Sequence, residues 1–203
     1  MFADILERTG SIGPTYEHFR ANGHPVPEWM VTCVDLRDAL AELEKNAPEG
    51  CFGIKGTLLQ MFPLISDGIF AGPAACMSKH VYLTRRDILG QAISLARAVK
   101  TNEWHSHDTS VPDPELTLED IVGKLRYIQE MQADWETVFT TLRIRPLRLY
   151  YEDLVTEPLL VFEEIRQYLN VEWRVDPADV VSKYQSVSAR HDLQWLREQR
   201  SRF

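Results

Sequence analysis

Apolar residues recur along this chain at two spacings, and the switch between them divides it into elements. Ile88, Leu89, Ala92, Ile93, Ala96 and Val99 fall at helical steps and predict a helix with one apolar stripe. Leu118, Ile121, Leu125, Ile128, Met131, Trp135, Val138 and Leu142 predict the longest helix, with Thr117 and Asp120 as a capping pair at its start. Shorter helices are predicted over Met1–Arg8, Asp35–Lys45, Thr57–Ile65, Glu157–Leu169 and Tyr184–Arg200. The first should bury Phe2, Ile5 and Leu6 and stop at Gly10; the second should turn Leu36, Leu40 and Leu43 inward.

β-rich or alternating runs predict strands at Cys51–Ile54, at His80–Leu83 and through Leu147, Leu149 and Tyr151. Ser11–Trp29 is rich in Gly and Pro and reads as loop, while Asp67–Ser78 and His105–Pro114 read as connections. No internal repeat or low-complexity stretch interrupts the pattern. Strands separated by helices predict an α/β fold, a parallel sheet flanked by helices, whose ligands sit outside the carboxyl ends of the strands. At 203 residues a single domain, 1–203, is expected.

Charge narrows the partners. A net charge of −8 argues against nucleic acid, whose binders need surplus Lys and Arg to displace counterions. Basic residues gather in two places, at Arg85 and Arg86 and in the tail with Lys183, Arg190, Arg197, Arg200 and Arg202. Cys33, Cys51 and Cys76 are odd in number and lack C-x-x-C spacing, so free thiols in a reducing compartment are expected. No apolar run has the length of a membrane span, and Met1–Glu7 lacks the basic start of a signal peptide. These features point to a cytoplasmic protein.

Candidate chemistry centres on Arg85 and Arg86. They stand at the end of a predicted strand and just before a helix, where guanidinium forks and helix-tip amides suit a phosphate or sulfate. Ser94, nine residues after Arg85, lies along the flank of that helix and can add a hydroxyl. Taken alone, the pattern is met more simply by a structural ion pair, such as Arg86 with Asp87. Neither a G-x-x-x-x-G-K-[ST] loop nor a G-x-G-x-x-G turn occurs, which disfavours kinase and dehydrogenase readings. His105-Ser-His107-Asp108 has no further ligand cluster around it in sequence, so no metal is expected.

The run L-T-R85-R-D87-x-x-x-Q91-A-I-S94-x-x-R97-A-x-K-T101-x-x-W104 resembles the adenosine-phosphate-binding strand and helix of bacterial sulfotransferases of the trehalose 2-sulfotransferase type. Lipopolysaccharide and Nod-factor sulfotransferases are relatives of that type. Arg8-Thr9-Gly10-Ser-Ile-Gly13-Pro-Thr-Tyr-Glu17-His-Phe19 is similar to the segment after the family's first helix, and Tyr151-Glu152-Asp153-Leu154-x-x-Glu157-Pro158 to a strand-end motif found across sulfotransferases. The resemblance implies a P-loop-like sulfotransferase fold and transfer of a sulfonate from PAPS (3′-phosphoadenosine 5′-phosphosulfate) to a hydroxyl of a carbohydrate or glycolipid, without a metal.

It also implies roles. Arg85 and Ser94 would hold the 3′-phosphate of PAPS, and Glu17 would take the proton of the acceptor hydroxyl. His18 and His24 are rivals for the base, because many animal and plant sulfotransferases use histidine. Lys55, at a strand end, is a candidate for contact with donor or acceptor, the alternative being an ordinary surface lysine. Trp104 suits the face of a sugar ring, or packs at the end of its helix. Trp195 with Arg197 resembles the family's basic tail.

One departure stands at the front. Family members open with a strand and a P-R-S-G-[ST] loop that cradles the 5′-phosphosulfate. This sequence starts at the helix that should follow, so the resemblance implies an N-terminally truncated fold. A chain truly without that loop is expected to be a catalytically inactive, sulfotransferase-like binding protein. The acceptor is not named by the sequence, and a homodimer is left open.

Overall fold

A computed structural model describes residues 2–13, 15–16, 36–47, 51–66, 68, 78–104, 112, 114–181 and 201. In chain order these form α1 (Phe2–Arg8), β1 (Thr15–Tyr16), α2 (Leu36–Asn46), β2 (Gly53–Ile54), α3 (Leu58–Ser66), β3 (Val81–Thr84), α4 (Ile88–Thr101), α5 (Leu118–Thr141), β4 (Leu147–Tyr150), α6 (Tyr151–Thr156) and α7 (Pro158–Leu169). A further helical turn covers 177–181. The fold is α/β, and its described strands form two small parallel sheets, β1–β2 and β3–β4, flanked by helices; the parallel pairing is as the element order predicts.

Both strand ladders are parallel. Thr15 and Tyr16 of β1 face Gly53 and Ile54 of β2, and Val81 to Thr84 of β3 face Leu147 to Tyr150 of β4. The β3–β4 connection runs through α4 and α5, the crossover that parallel neighbours require. Parallel pairing sends both strands out at the same edge, and that edge carries the site.

Two apolar clusters hold these elements. Ile5 and Leu6 of α1 pack with Leu149 of β4, Leu154 of α6, Val161, Phe162 and Ile165 of α7, and Val180 and Val181. Phe162 and Ile165 are wholly out of water, and Trp173 meets the Phe162 ring edge-on with centroids 6.3 Å apart. The second cluster joins Ala92, Ile93 and Ala96 of α4 to Ile121 and Ile128 of α5, with Leu116 between them. Alanine at two of the α4 contact positions leaves room for α5 to lie close.

Polar groups stitch α1 to a distant segment. Gly10 ends the helix at φ +72°, a conformation glycine adopts without steric cost, and its amide donates to Glu7 at 2.9 Å. The buried Thr9 hydroxyl donates to the Leu6 carbonyl at 2.6 Å, and the Thr9 carbonyl accepts from the amides of Arg174 (3.1 Å) and Val175 (3.0 Å). The Ser11 hydroxyl donates to the Glu172 carbonyl at 2.5 Å and accepts from the Arg174 amide at 3.0 Å.

Several expectations need correction. Tyr151 does not continue its strand: β4 ends at Tyr150 and α6 starts on the next residue, with Glu152 and Asp153 in its first turn. Acidic side chains there favour a helix start, and the alternation of Leu147, Leu149 and Tyr151 hid it. Thr15 and Tyr16 form a strand inside a stretch read as loop. Leu89 and Val99, which the spacing places on the apolar stripe of α4, are 40% and 47% exposed. Leu89 falls in the first turn of α4, before the stretch from Ala92 to Ala96 that packs on α5, and Val99 in the last turn, after it. Leu118 is exposed too, being the first residue of α5. The capping pair is present in full, Thr117 accepting from the Asp120 amide and Asp120 from the Thr117 amide. The predicted helix Tyr184–Arg200, Trp195 and Arg197 included, lies outside the described residues, as do Cys33 and Cys76. Cys51 is half-buried and in no disulfide.

Candidate functional site

Parallel β3 and β4 leave the sheet side by side, Thr84 being the register partner of Tyr150. The chain that follows β3 is Arg85-Arg86-Asp87, and the chain that follows β4 is Tyr151-Glu152-Asp153. Two stretches more than sixty residues apart in sequence are thereby brought against each other at the carboxyl edge of the sheet.

The two arginines differ in what they meet. Arg86 makes a bidentate pair with Asp153, Nη1 to Oδ1 at 2.5 Å and Nη2 to Oδ2 at 2.6 Å, and its guanidinium lies 4.0 Å from the centroid of the Tyr150 ring. The hydrogen bond from Arg86, aided by its charge, holds the Asp153 carboxyl below its ordinary range, and the same bond raises Arg86. Arg85 instead lies with its guanidinium 4.1 Å from the centroid of the Tyr151 ring, a cation–π contact. Among the described residues the Arg85 guanidinium makes no hydrogen bond and no ion pair.

Glu152 joins the two turns. Its carboxylate accepts from the Arg86 amide at 3.1 Å and from the Asp87 amide at 3.2 Å. Burial works to raise this carboxyl, but the two amides, its own backbone amide and the charge of Arg85 outweigh it, so Glu152 is held below its ordinary range. Asp87 caps α4, accepting from the Gly90 amide at 2.9 Å.

These contacts revise the sequence reading of the arginine pair. Arg86 is indeed in an ion pair, but with Asp153 rather than with the adjacent Asp87. The amides of Arg86, Asp87 and Gly90 are occupied by carboxylates, and that of Ile88 by the Arg86 carbonyl. The helix tip is thus already capped by the protein. What it leaves for an anion is the Arg85 side chain.

The other candidates are spread along the same framework. Ser94 is half-buried on α4, about 9 Å along the axis from Ile88. Among the described residues its hydroxyl has no hydrogen-bond partner. On the same helix, the Gln91 Oε1 is buried without a hydrogen bond. Trp104 follows α4 and is 59% exposed, its indole N–H donating to Asn102 at 3.3 Å. The length of α4, about 20 Å, therefore separates Trp104 from Arg85. Lys55 is exposed, one residue past Ile54. Glu17 lies outside the described residues, with His18, His24 and His105 to Asp108. Near the end of α4, Arg97 and Glu103 form a largely buried ion pair at 3.1 Å.

Sequence reasoning singled out Tyr151-Glu152-Asp153 without pairing it to the arginines. The available signal was the acidic pair directly after a strand. Among the described residues, no group of three or more His, Cys, Asp or Glu side chains is placed to hold a metal ion, and no helix is long and apolar enough to cross a membrane.

Against this geometry stands a family match. The family model for the Stf0 sulphotransferases matches residues 54–202, and the chain belongs to that family. The matched stretch contains Lys55, Arg85, Ser94, Trp104 and the whole Arg85–Asp153 junction, while Glu17 precedes it. No curated relative matches the chain. Membership makes the protein an enzyme of the transferase kind, one that moves a sulfonate group from a donor to a small-molecule acceptor.

Proposed function

We propose that this sulfotransferase takes its sulfonate from PAPS and passes it to a hydroxyl of a carbohydrate or glycolipid by in-line displacement. The acceptor oxygen forms its bond to sulfur as the bond from sulfur to the bridging phosphate oxygen breaks. PAP (3′-phosphoadenosine 5′-phosphate) leaves, and the acceptor proton goes to the carboxylate of Glu17. Residues 1–203 belong to one P-loop-like sulfotransferase domain in the cytoplasm, with no nucleic acid partner and no metal.

The observation behind this reading is the contrast between the arginines at the strand edge. Arg86 spends its fork on Asp153, whereas Arg85 rests on an aromatic face with its N–H groups unspent on any described residue. A planar fork in that state suits a doubly charged phosphate, the 3′-phosphate of the donor. Ser94 supplies a hydroxyl from α4 to the same phosphate. The anchored phosphate is remote from sulfur, so binding energy there is converted into orientation of the reacting group. Lys55 serves the donor or the acceptor side, and Trp104 lines the sugar pocket.

The test is thermal. PAP should raise the melting temperature of the wild-type chain, and Arg85→Ala should remove that rise; no rise with wild type overturns the reading. Glu17→Gln should keep the rise while slowing sulfonate transfer from radiolabelled PAPS to a glycan panel by about 10²–10⁴-fold. Equal loss of binding and turnover would assign Glu17 to structure.

A further inference from the structure

We infer that Glu152 is a positioning residue for the donor site, acting through the β3–α4 turn to present Arg85. The inference rests on the reading of Arg85 as the anion-binding arginine. A carboxylate so close to an anion site is electrostatically adverse, and nothing in the site reading explains its presence. The geometry does. The Arg86 and Asp87 amides lie side by side after β3, and one bidentate acceptor satisfies both, at 3.1 and 3.2 Å. That acceptor reaches them from the first turn of α6, beside the end of β4.

The neighbouring residue completes the arrangement. Tyr151 faces the Arg85 guanidinium with its ring while Glu152 fixes the backbone that follows Arg85. Two consecutive residues of α6 thus constrain one arginine, at its side chain and at its backbone. An arginine carries much rotamer freedom, and restricting it before the ligand arrives lowers the ordering cost of binding. Asp153, paired with Arg86, holds the same two turns together from the other side.

Glutamine at 152 keeps the size but offers a single acceptor oxygen, turning an N–H group toward one of the two amides. Glu152→Gln should therefore weaken PAP binding by about tenfold, measured by calorimetry. In the Arg85→Lys background, which keeps a weaker point charge and measurable binding but loses the fork, the same change should cost less than about twofold, because the fork it presents is gone. Unchanged or tighter binding by Glu152→Gln, or an equal loss in both backgrounds, overturns the inference. Full-strength PAP binding by Arg85→Ala overturns the donor-site reading itself, so the two failures are distinct.

A readout without substitution covers the case of a misfolded variant. Amide hydrogen exchange on the wild-type chain should show Arg86 and Asp87 protected, and exchange at the rate of an open peptide would sink the clamp.

Discussion

Arg85 and Arg86 are the same residue type one step apart, and their surroundings give them opposite duties. Arg86 is held by a carboxylate in a fork-to-fork pair that lysine could not reproduce. Arg85 is held by a ring, which orients a guanidinium without using its hydrogens. Removing each should separate stability from binding. Arg86→Ala should lower the melting temperature and still show a PAP-induced rise, while Arg85→Ala should melt near wild type and show none. A differential scanning measurement with and without PAP checks both. Sequence spacing could not make this distinction, because the partner of Arg86 lies 67 residues downstream. The local candidate, Asp87, was already engaged as a helix cap.

At the scale of elements, α4 and α5 were legible because their period is long and regular and α5 carries its own start signal. What escaped was set by neighbours rather than by local pattern. β1 has two residues and is a strand through its pairing with β2; α6 begins where alternation still reads as strand. Lys100 ties the end of α4 to the start of α5, its ammonium 2.6 Å from Asp120 and 3.0 Å from the Glu115 carbonyl. The hydrogen bonds from Lys100 and Thr117 lower Asp120 from 3.8 to about 2. A depressed carboxyl contributes stability that is complete above its unfolded value and lost as pH falls through its folded value. The α4–α5 contact should accordingly weaken as pH drops from about 4 to about 2. A carbon-detected titration of Asp120 follows it, and Lys100→Ala should move the midpoint back up. A midpoint unmoved by that substitution would contradict the assignment.

For the molecule as a whole, the site edge was inferable from topology, since parallel strands interleaved with helices put ligands at their carboxyl ends. The closure of the fold was not. Arg8-Thr9-Gly10-Ser11 belongs to the stretch that is similar to the segment after the family's first helix. In the structure, Thr9 and Ser11 bind residues 172–175, a pairing that local pattern does not carry. Ser11→Ala removes a donor to Glu172 and an acceptor for Arg174, and should cost about 1–3 kcal/mol in a urea melt. A loss well under that range would mean water replaces the serine at the seam.

The same seam bears on synthesis. Its bonds span 161 and 163 residues, so the opening helix emerges from the ribosome long before the segment it docks on. Until Leu149, Leu154, Val161, Phe162 and Ile165 are made, Ile5 and Leu6 lack most of their mature cluster. Synthesis must pass Arg174 before the seam can close and Val181 before the cluster is complete, and until then Ile5 and Leu6 are open to chaperones and proteases.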